Sequence, residues 1–515
     1  MAKAPTAAAR TRAIEALGNS PARSREKLLY QEYELAKRLA EASSIFARGS
    51  GRFPLAGTGK INTYALFAEI FSEVGRRAGI IVPTGIATDA TTAAFFSQMV
   101  SQKRVVSLID FENREGLFAD IDSRMKFCLL TLGEEAAPTF AFFLTRPSQL
   151  LDGRRRFTLS ADSIARINPN SRTSPVFRSR EDAKLTAEIY SRVPILQPTN
   201  SGNRGSLWFH TRMYNMSEDS ALFRTADELR SKGCCREGVT WRHTDDKTNP
   251  GFVPLLEAKM IHQFDHRFGT YQPNDARDAT DSEKRSWEFE ALPRYWVGAD
   301  DVFQRFRDSR WEKGWVLGLR NITNATNERT VIGSLCPAFA VGHTLVCVFV
   351  GNEPVFAAAL LACLSSLVLD YVARQKLGGT HLTLEVLGQL PVVPPTSYRP
   401  CDLEFIRQVV LELTYTSHSM VPFARDLGYG GEPFVWEPAR REVLRATLDA
   451  WYARAYGLNR DELRYILDPA DAMGEDYPSE TFRILKNNEI KKHGEYRTRR
   501  LVLEAWDRLE AGDLK

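Results

Sequence analysis

The chain has 515 residues, of which 43% are apolar and 26% charged. Those proportions exclude wholesale disorder, and the length favours roughly two to four domains over a single core. The formal charge of +4 is small for this length, so nucleic-acid binding has to be argued from local basic clusters and not from the total.

The first residues carry Arg10, Arg12 and three consecutive alanines without an apolar signal core, and read as a polar helical lead-in. Residues 24 to 46 combine Glu, Lys, Leu and Ala with few breakers, which favours helix. The glycine-rich stretch from Ser50 to Gly59 breaks that pattern. It is not a P-loop, because Gly59-Lys60 is followed by Ile61 where Ser or Thr is required. From Asn62 to Val74, Tyr64, Leu66, Phe67, Ile70, Phe71 and Val74 form a broad apolar stripe on one helix. Gly79 to Val82 is a short buried strand stopped by Pro83 and Gly85, and Thr88 to Val100 is a helix facing Phe95, Phe96 and Met99 inward. Val105 to Ile109 and Phe127 to Leu132 are two further strands. This succession is half of a layered α/β domain. Half a sheet leaves an edge and an apolar face uncovered, so a partner segment is implied.

From about 151 to 395 the chain becomes a series of short aromatic-rich segments divided by polar turns, among them Trp208 to Tyr214 and Pro293 to Trp296. Basic clusters stand at Arg154 to Arg156 and Arg497 to Arg500; each is a solvated face or a phosphate contact. Asp246, Glu257 and Lys259 imitate the Asp and Glu-x-Lys order of metal-dependent nucleases, but the pattern is common and a structural pair fits it better. His262 and His266 lie four residues apart without the His-Glu-x-x-His pattern of zinc hydrolases. Seven cysteines include no paired CxxC set, which fits a reducing cytoplasm and leaves no metal site to propose. The run from Glu353 to Val372 is hydrophobic but contains Pro354 and Asp370, and reads as a buried helix and not a membrane span. Leu390 to Pro395 makes an extended boundary. Beyond it, residues 401 to 421, 437 to 456 and 488 to 511 are helical.

The order of several segments carries a resemblance. Ile61-Asn-Thr-Tyr-Ala-Leu-Phe67, Ala78-Gly-Ile-Ile-Val-Pro-Thr-Gly85, Val105 to Glu112, and Gly116-Leu-Phe-Ala-Asp-Ile-Asp-Ser-Arg-Met-Lys-Phe127 resemble the downstream part of the methylase domain in large single-chain restriction-modification enzymes and related adenine-specific DNA methyltransferases of phage defence. Leu255 to Phe268, Arg320 to Thr330, Asp370 to His381, Tyr456 to Asp468 and Gly494 to Arg500 resemble their target-recognition domain and tail.

The resemblance implies an α/β chain: a helical lead-in over 1–49, a partial Rossmann-like methyltransferase domain over 50–150, an α+β target-recognition domain over 151–395, and a helical C-terminal region over 396–515. It implies a site-specific DNA N6-adenine methyltransferase of a restriction-modification system, to which this chain contributes the base pocket and the DNA recognition. Phe118 is the expected platform for the extruded base. Arg124, Lys126, Arg267, Arg320, Arg329, Arg374 and Lys376 are the expected DNA contacts, and double-stranded DNA the expected partner. The family's glycine-rich motif for S-adenosylmethionine and its Asn-Pro-Pro-aromatic loop are both absent from this sequence. An upstream half or separate catalytic subunit is therefore a second expected partner. The alternative is a non-catalytic DNA specificity protein, or a truncated remnant, that depends on such a subunit.

Overall fold

The computed structural model describes residues 7–123, 125–135, 137–196, 207–244, 250–272, 275–351, 353–377 and 380–513. These form a mixed α/β region followed by a largely helical C-terminal region. They divide into two compact units. Unit 1 comprises residues 1–152, 156–164 and 171–174, and unit 2 comprises 153–155, 165–170 and 175–515. The stretches 151–395 and 396–515 thus share unit 2 for most of their length.

Unit 1 opens with α1 (Ala7–Gly18) and α2 (Arg25–Gly49). Ser24 caps α2 by accepting from the amide of Lys27. Along α2, Leu28, Leu35, Leu39 and Phe46 fall on one helical face, and all four are exposed. Next come α3 (Thr63–Val74), β1 (Ala78–Pro83), α4 (Ala93–Ser101), β2 (Val105–Glu112), β3 (Lys126–Leu132), β4 (Thr139–Leu144) and β5 (Phe157–Thr158). The sheet order is β1-β3-β2-β4-β5. β3 lies antiparallel between β1 and β2, so β1 and β2 run the same way, and β4 is parallel to β2. Phe95, Phe96 and Met99 of α4 are buried as the pattern predicts, together with Leu108, Leu130, Leu132, Phe140 and Phe142 from the sheet.

The structure turns α3 the other way from its hydrophobic pattern. The buried positions are Ala65, Ala68, Glu69 and Ser72. Glu69 uses both carboxylate oxygens to accept from the amides of Leu55 and Ala56, at 3.0 and 2.8 Å. The large side chains face out: Phe67, Phe71 and Val74 are 56%, 42% and 77% exposed. Beside them β1 is an edge strand, bonded only to β3 among the described residues, with Ile81 61% exposed. Among the described residues of unit 1 nothing covers this apolar face.

Unit 2 contains a two-stranded hairpin, Gly269–Gln272 with Asp275–Asp278, and two larger sheets, the first of which also takes Ala340–Val341 parallel to Phe252–Leu256. One has the order β10 (Trp296–Gly298), β9 (Phe252–Leu256), β8 (Thr240–His243), β7 (Cys234–Glu237). The other has the order β12 (Gly333–Pro337), β11 (Trp315–Arg320), β13 (Leu345–Val350), β6 (Leu207–Thr211). The hydrophobic run after Glu353 is not one helix but two, α5 (Pro354–Ser365) and α6 (Leu367–Lys376), bent by 60° at Ser366. Ser366 caps the second by accepting from Leu369. Both are almost wholly buried, and among the described residues no single helix is long and apolar enough to cross a membrane. The C-terminal region includes α7 (Pro400–Thr414), α8 (Pro438–Ala455), α9 (Arg483–His493) and α10 (Arg497–Ala511). Gly494, with φ of 77°, ends α9 and divides the single helix expected over 488 to 511.

Candidate functional site

β1 and β2 are parallel and end on the same edge of the unit 1 sheet, where open α/β sheets place their ligands. Asp110 sits in β2 at that end, 2% exposed. Its carboxylate accepts from the hydroxyl of Thr84, just beyond β1, and from the amide of Phe143 in β4 at 3.0 Å. Burial raises this carboxyl above the usual range, and the two hydrogen bonds oppose the shift. Between Ile109 and Phe111 the β2–β4 register slips, so Asp110 stands opposite both Phe142 and Phe143. Phe143 has a positive φ of 60°, a conformation costly for an aromatic residue and held here by the Asp110 bond.

The loop after β2 is pinned by Asn113, which is fully buried. Its side-chain amide donates to the carbonyls of Phe118 and Ile121 at 2.9 and 2.8 Å, and its side-chain oxygen accepts from the amide of Phe118 at 2.9 Å. The loop presents Leu117, Phe118, Ile121 and Met125 to solvent, each at least 39% exposed. The Phe118 ring meets Phe127 edge to face, with centroids 4.8 Å apart, and Phe127 stacks on Phe111 at 5.5 Å. Phe118 is therefore a supported, half-open ring outside the core, while Phe127 packs against the cluster of Phe111, Ala141 and Leu144. Lys126 lies beside it, 3.2 Å from Glu112 and with its ammonium 4.7 Å from the centre of the Phe143 ring. Glu112 also pairs with Arg114 at 2.6 Å. Arg124 lies outside the described residues.

The five basic candidates of unit 2 are placed differently. Arg267 is fully buried and donates to four carbonyls, those of Ser286, Phe289, Lys284 and Thr416, at 2.7 to 3.0 Å. Arg320 donates to the carbonyl of Ile261. Arg329 binds Asp370 at 3.2 Å and the carbonyl of Ser365. Arg374 donates to the carbonyls of Ala325, Thr481, Asn327 and Glu328 at 2.7 to 2.9 Å. Lys376 donates to the carbonyl of Ile167 and to Asn168, and burial pushes its ammonium down to about 7. In this arrangement these side chains are internal ties, a correction to reading them by type as a DNA-facing set: a guanidinium that closes carbonyls in the core is not available to phosphate.

The other clusters are also structural. Glu257 accepts from the hydroxyl of Tyr271 at 2.7 Å and lies 3.8 Å from Lys259, whose ammonium sits over the Tyr271 ring. Asp246 lies outside the described residues, as does the Gly378-Gly379 pair. His266 contacts the hydroxyls of Ser417 and Ser419 in a buried network, and His262 packs on Phe268. Among the described residues no three His, Cys, Asp or Glu side chains converge as a metal-ligand set. Asp110, Asn113 and Phe143 were not singled out by sequence reasoning. The available signal was an aspartate inside the apolar run of β2, which has to be satisfied wherever it is buried.

No family model matches the chain, and no characterised protein matches it significantly in sequence. Among solved structures it is distantly similar to the type IIG restriction endonuclease BpuSI, at 13% identity and a TM-score of 0.27 over 73% of this chain and 49% of that one. It is also distantly similar to the type IIL restriction-modification enzyme MmeI in complex with DNA, at 11% identity and a TM-score of 0.36 over 77% of this chain and 49% of that one. The chain spans about half the length of these solved structures.

Proposed function

We propose that this chain contributes the base pocket and DNA recognition to a site-specific DNA N6-adenine methyltransferase whose methyl-donor half lies outside this sequence. The observation that carries the reading is the outward apolar face of unit 1: Phe67, Phe71, Val74 and Ile81 beside the open edge of β1. An edge strand needs backbone partners, and large apolar side chains at its flank need cover, so a further polypeptide segment that extends the sheet satisfies both.

The residues of unit 1 do not fit S-adenosylmethionine. Of the groups at the carboxyl ends of β1 and β2, Thr84 and Asp110 bind each other, Asn113 binds its own loop, and neither following turn is glycine-rich. The cofactor therefore belongs with the missing segment. Phe118 is suited to a different task. An adenine taken out of the duplex loses its stacking, and a fixed, half-exposed ring restores part of it, worth about 1–3 kcal/mol per base. Lys126 lies close enough to the pocket to meet the phosphate of the extruded nucleotide. Target choice falls to unit 2.

The test is transfer of tritiated methyl groups to DNA by the purified chain, alone and mixed with the product of the gene immediately upstream. Activity only in the mixture is the expected result. Sequence-specific DNA binding with no methyl transfer in either sample overturns the catalytic reading in favour of a specificity protein.

A further inference from the structure

Unit 2 holds a cavity of about 220 Å³ lined by α8, α9 and α10. Charged groups of both signs converge on it, and most are already engaged. Glu442 pairs with Arg497 at 2.9 Å, Glu489 accepts from the amide and hydroxyl of Thr498 at 2.7 and 2.5 Å, and Glu328 accepts from Asn488 at 2.5 Å. Arg329 is held by Asp370.

Two lining groups of α8 remain, four residues apart on one face, while Lys492 and His493 of α9 also line the cavity without a hydrogen bond or ion pair among the described residues. Arg445 has no hydrogen bond or ion pair with any described residue. Asp449 is 5% exposed and uses only Oδ1, which accepts from the amide of Leu367 at 2.7 Å. Its Oδ2 has no partner among the described residues, and the two side chains are not paired with each other. An uncommitted guanidinium and the uncommitted oxygen of a buried carboxylate lining one half-open cavity are costly unless something joins them. His262 adds no charge to this wall: burial, with the nearby arginines, lowers its imidazole to about 3.

A bare anion at Arg445 would meet the carboxylates of Glu442, Asp449 and Glu489, and a bare cation at Asp449 would meet Arg329 and Arg445. A ligand carrying both charges avoids both repulsions. We propose that this cavity is a binding site for a zwitterionic small molecule of the amino-acid class, its carboxylate on Arg445 and its ammonium on Asp449. A guanidinium takes a carboxylate through two parallel hydrogen bonds, which fixes the ligand's orientation as well as its charge.

The test uses the full chain, with each free L-amino acid in a thermal-shift screen followed by titration calorimetry of the strongest. The N-acetyl and carboxamide derivatives of that compound remove one charge each. The expected result is a saturable rise in melting temperature with at least one free amino acid, and its loss with either derivative. Arg445→Gln and Asp449→Asn should each weaken binding by about tenfold or more, roughly 1.4 kcal/mol; Asn keeps the oxygen that accepts from Leu367. The proposal is overturned if no free amino acid binds, if the derivatives bind equally well, or if inorganic phosphate alone reproduces the shift. Should either variant fail to fold, the derivatives still decide the matter on the unaltered protein.

Discussion

Unit 1 leaves Phe67, Phe71, Val74 and Ile81 at its surface, whereas unit 2 buries Arg267, Arg329, Arg374 and Asp370. Each reverses the usual distribution, and the reversals differ in kind. The arginines have their partners within the chain: carbonyls, and the carboxylate of Asp370. Among the described residues the apolar side chains of α3 and β1 stay open to solvent, with Phe67 stacked on Phe71. A buried charge tied by several hydrogen bonds to its own chain is a finished feature of the fold, while an exposed apolar face beside an open strand edge is an unfinished one.

The sharpest way to break this contrast is at Asp370. It is 0% exposed and receives Arg329, Arg374 and the amides of Thr330 and Val331. Asp370→Ala removes the counter-charge of two buried guanidiniums and the acceptor of two amides, and should cost about 3–5 kcal/mol in urea unfolding. A loss below about 1 kcal/mol would mean that the arginines find other partners, and that their burial is incidental.

The proposed docking face should give the opposite outcome. Val74→Glu combined with Ile81→Glu should leave the isolated chain within about 0.5 kcal/mol of its original stability, because both side chains are exposed. Association with the proposed methyl-donor segment should weaken sharply, since burying one such side chain is worth about 1.5–3 kcal/mol. Unchanged association in a pull-down or sedimentation experiment would remove this face as the interface.

Phe118 tests the site itself. Phe118→Ala should change stability by less than about 1 kcal/mol, the ring being an exposed edge contact on Phe127. In the proposed reconstituted enzyme it should lower methyl transfer by an amount matching the lost stacking, about 1–3 kcal/mol. If stability falls and activity per folded molecule does not, the ring serves packing alone.

Much of unit 1 was legible because its strands and helices have distinct periods. The positions of α2, α3, β1, β2 and β3 follow from patterning, and Phe95, Phe96 and Met99 face inward as expected. The direction of α3 was not legible. A hydrophobic stripe states that a face needs cover without stating whether the cover lies in the same chain. β4 was missed because its phenylalanine-rich run alternates weakly and pairs parallel to β2 across a bulge. In unit 2 the arginines misled because residue type does not distinguish a phosphate contact from a tie between carbonyls. Arg320 to Thr330 and Asp370 to His381 were read as separate phrases, yet Arg329 and Thr330 of the first meet Asp370 of the second. Part of their content is structural.

The last prediction concerns pH and again separates the finished region from the unfinished one. Burial lowers both His262 and His266 to about 3, so both are neutral in the folded chain at pH 6. In the unfolded chain a histidine titrates near 6.5, so unfolding takes up protons between those values and stability is lost as the pH falls below about 6.5. Each histidine should contribute a slope of about 1.4 kcal/mol per pH unit until its folded-state value is reached. Urea denaturation at pH 6.5, 5.5 and 4.5 measures that slope. His266→Gln keeps a side-chain polar group beside Ser417 and Ser419 but cannot take up the proton, and should remove about half of the two-histidine contribution. An unaltered slope in that variant would place the acid sensitivity elsewhere, in carboxyls held below their usual range such as Glu283, which Arg277 lowers to about 2; Glu290, raised by burial, works in the opposite direction.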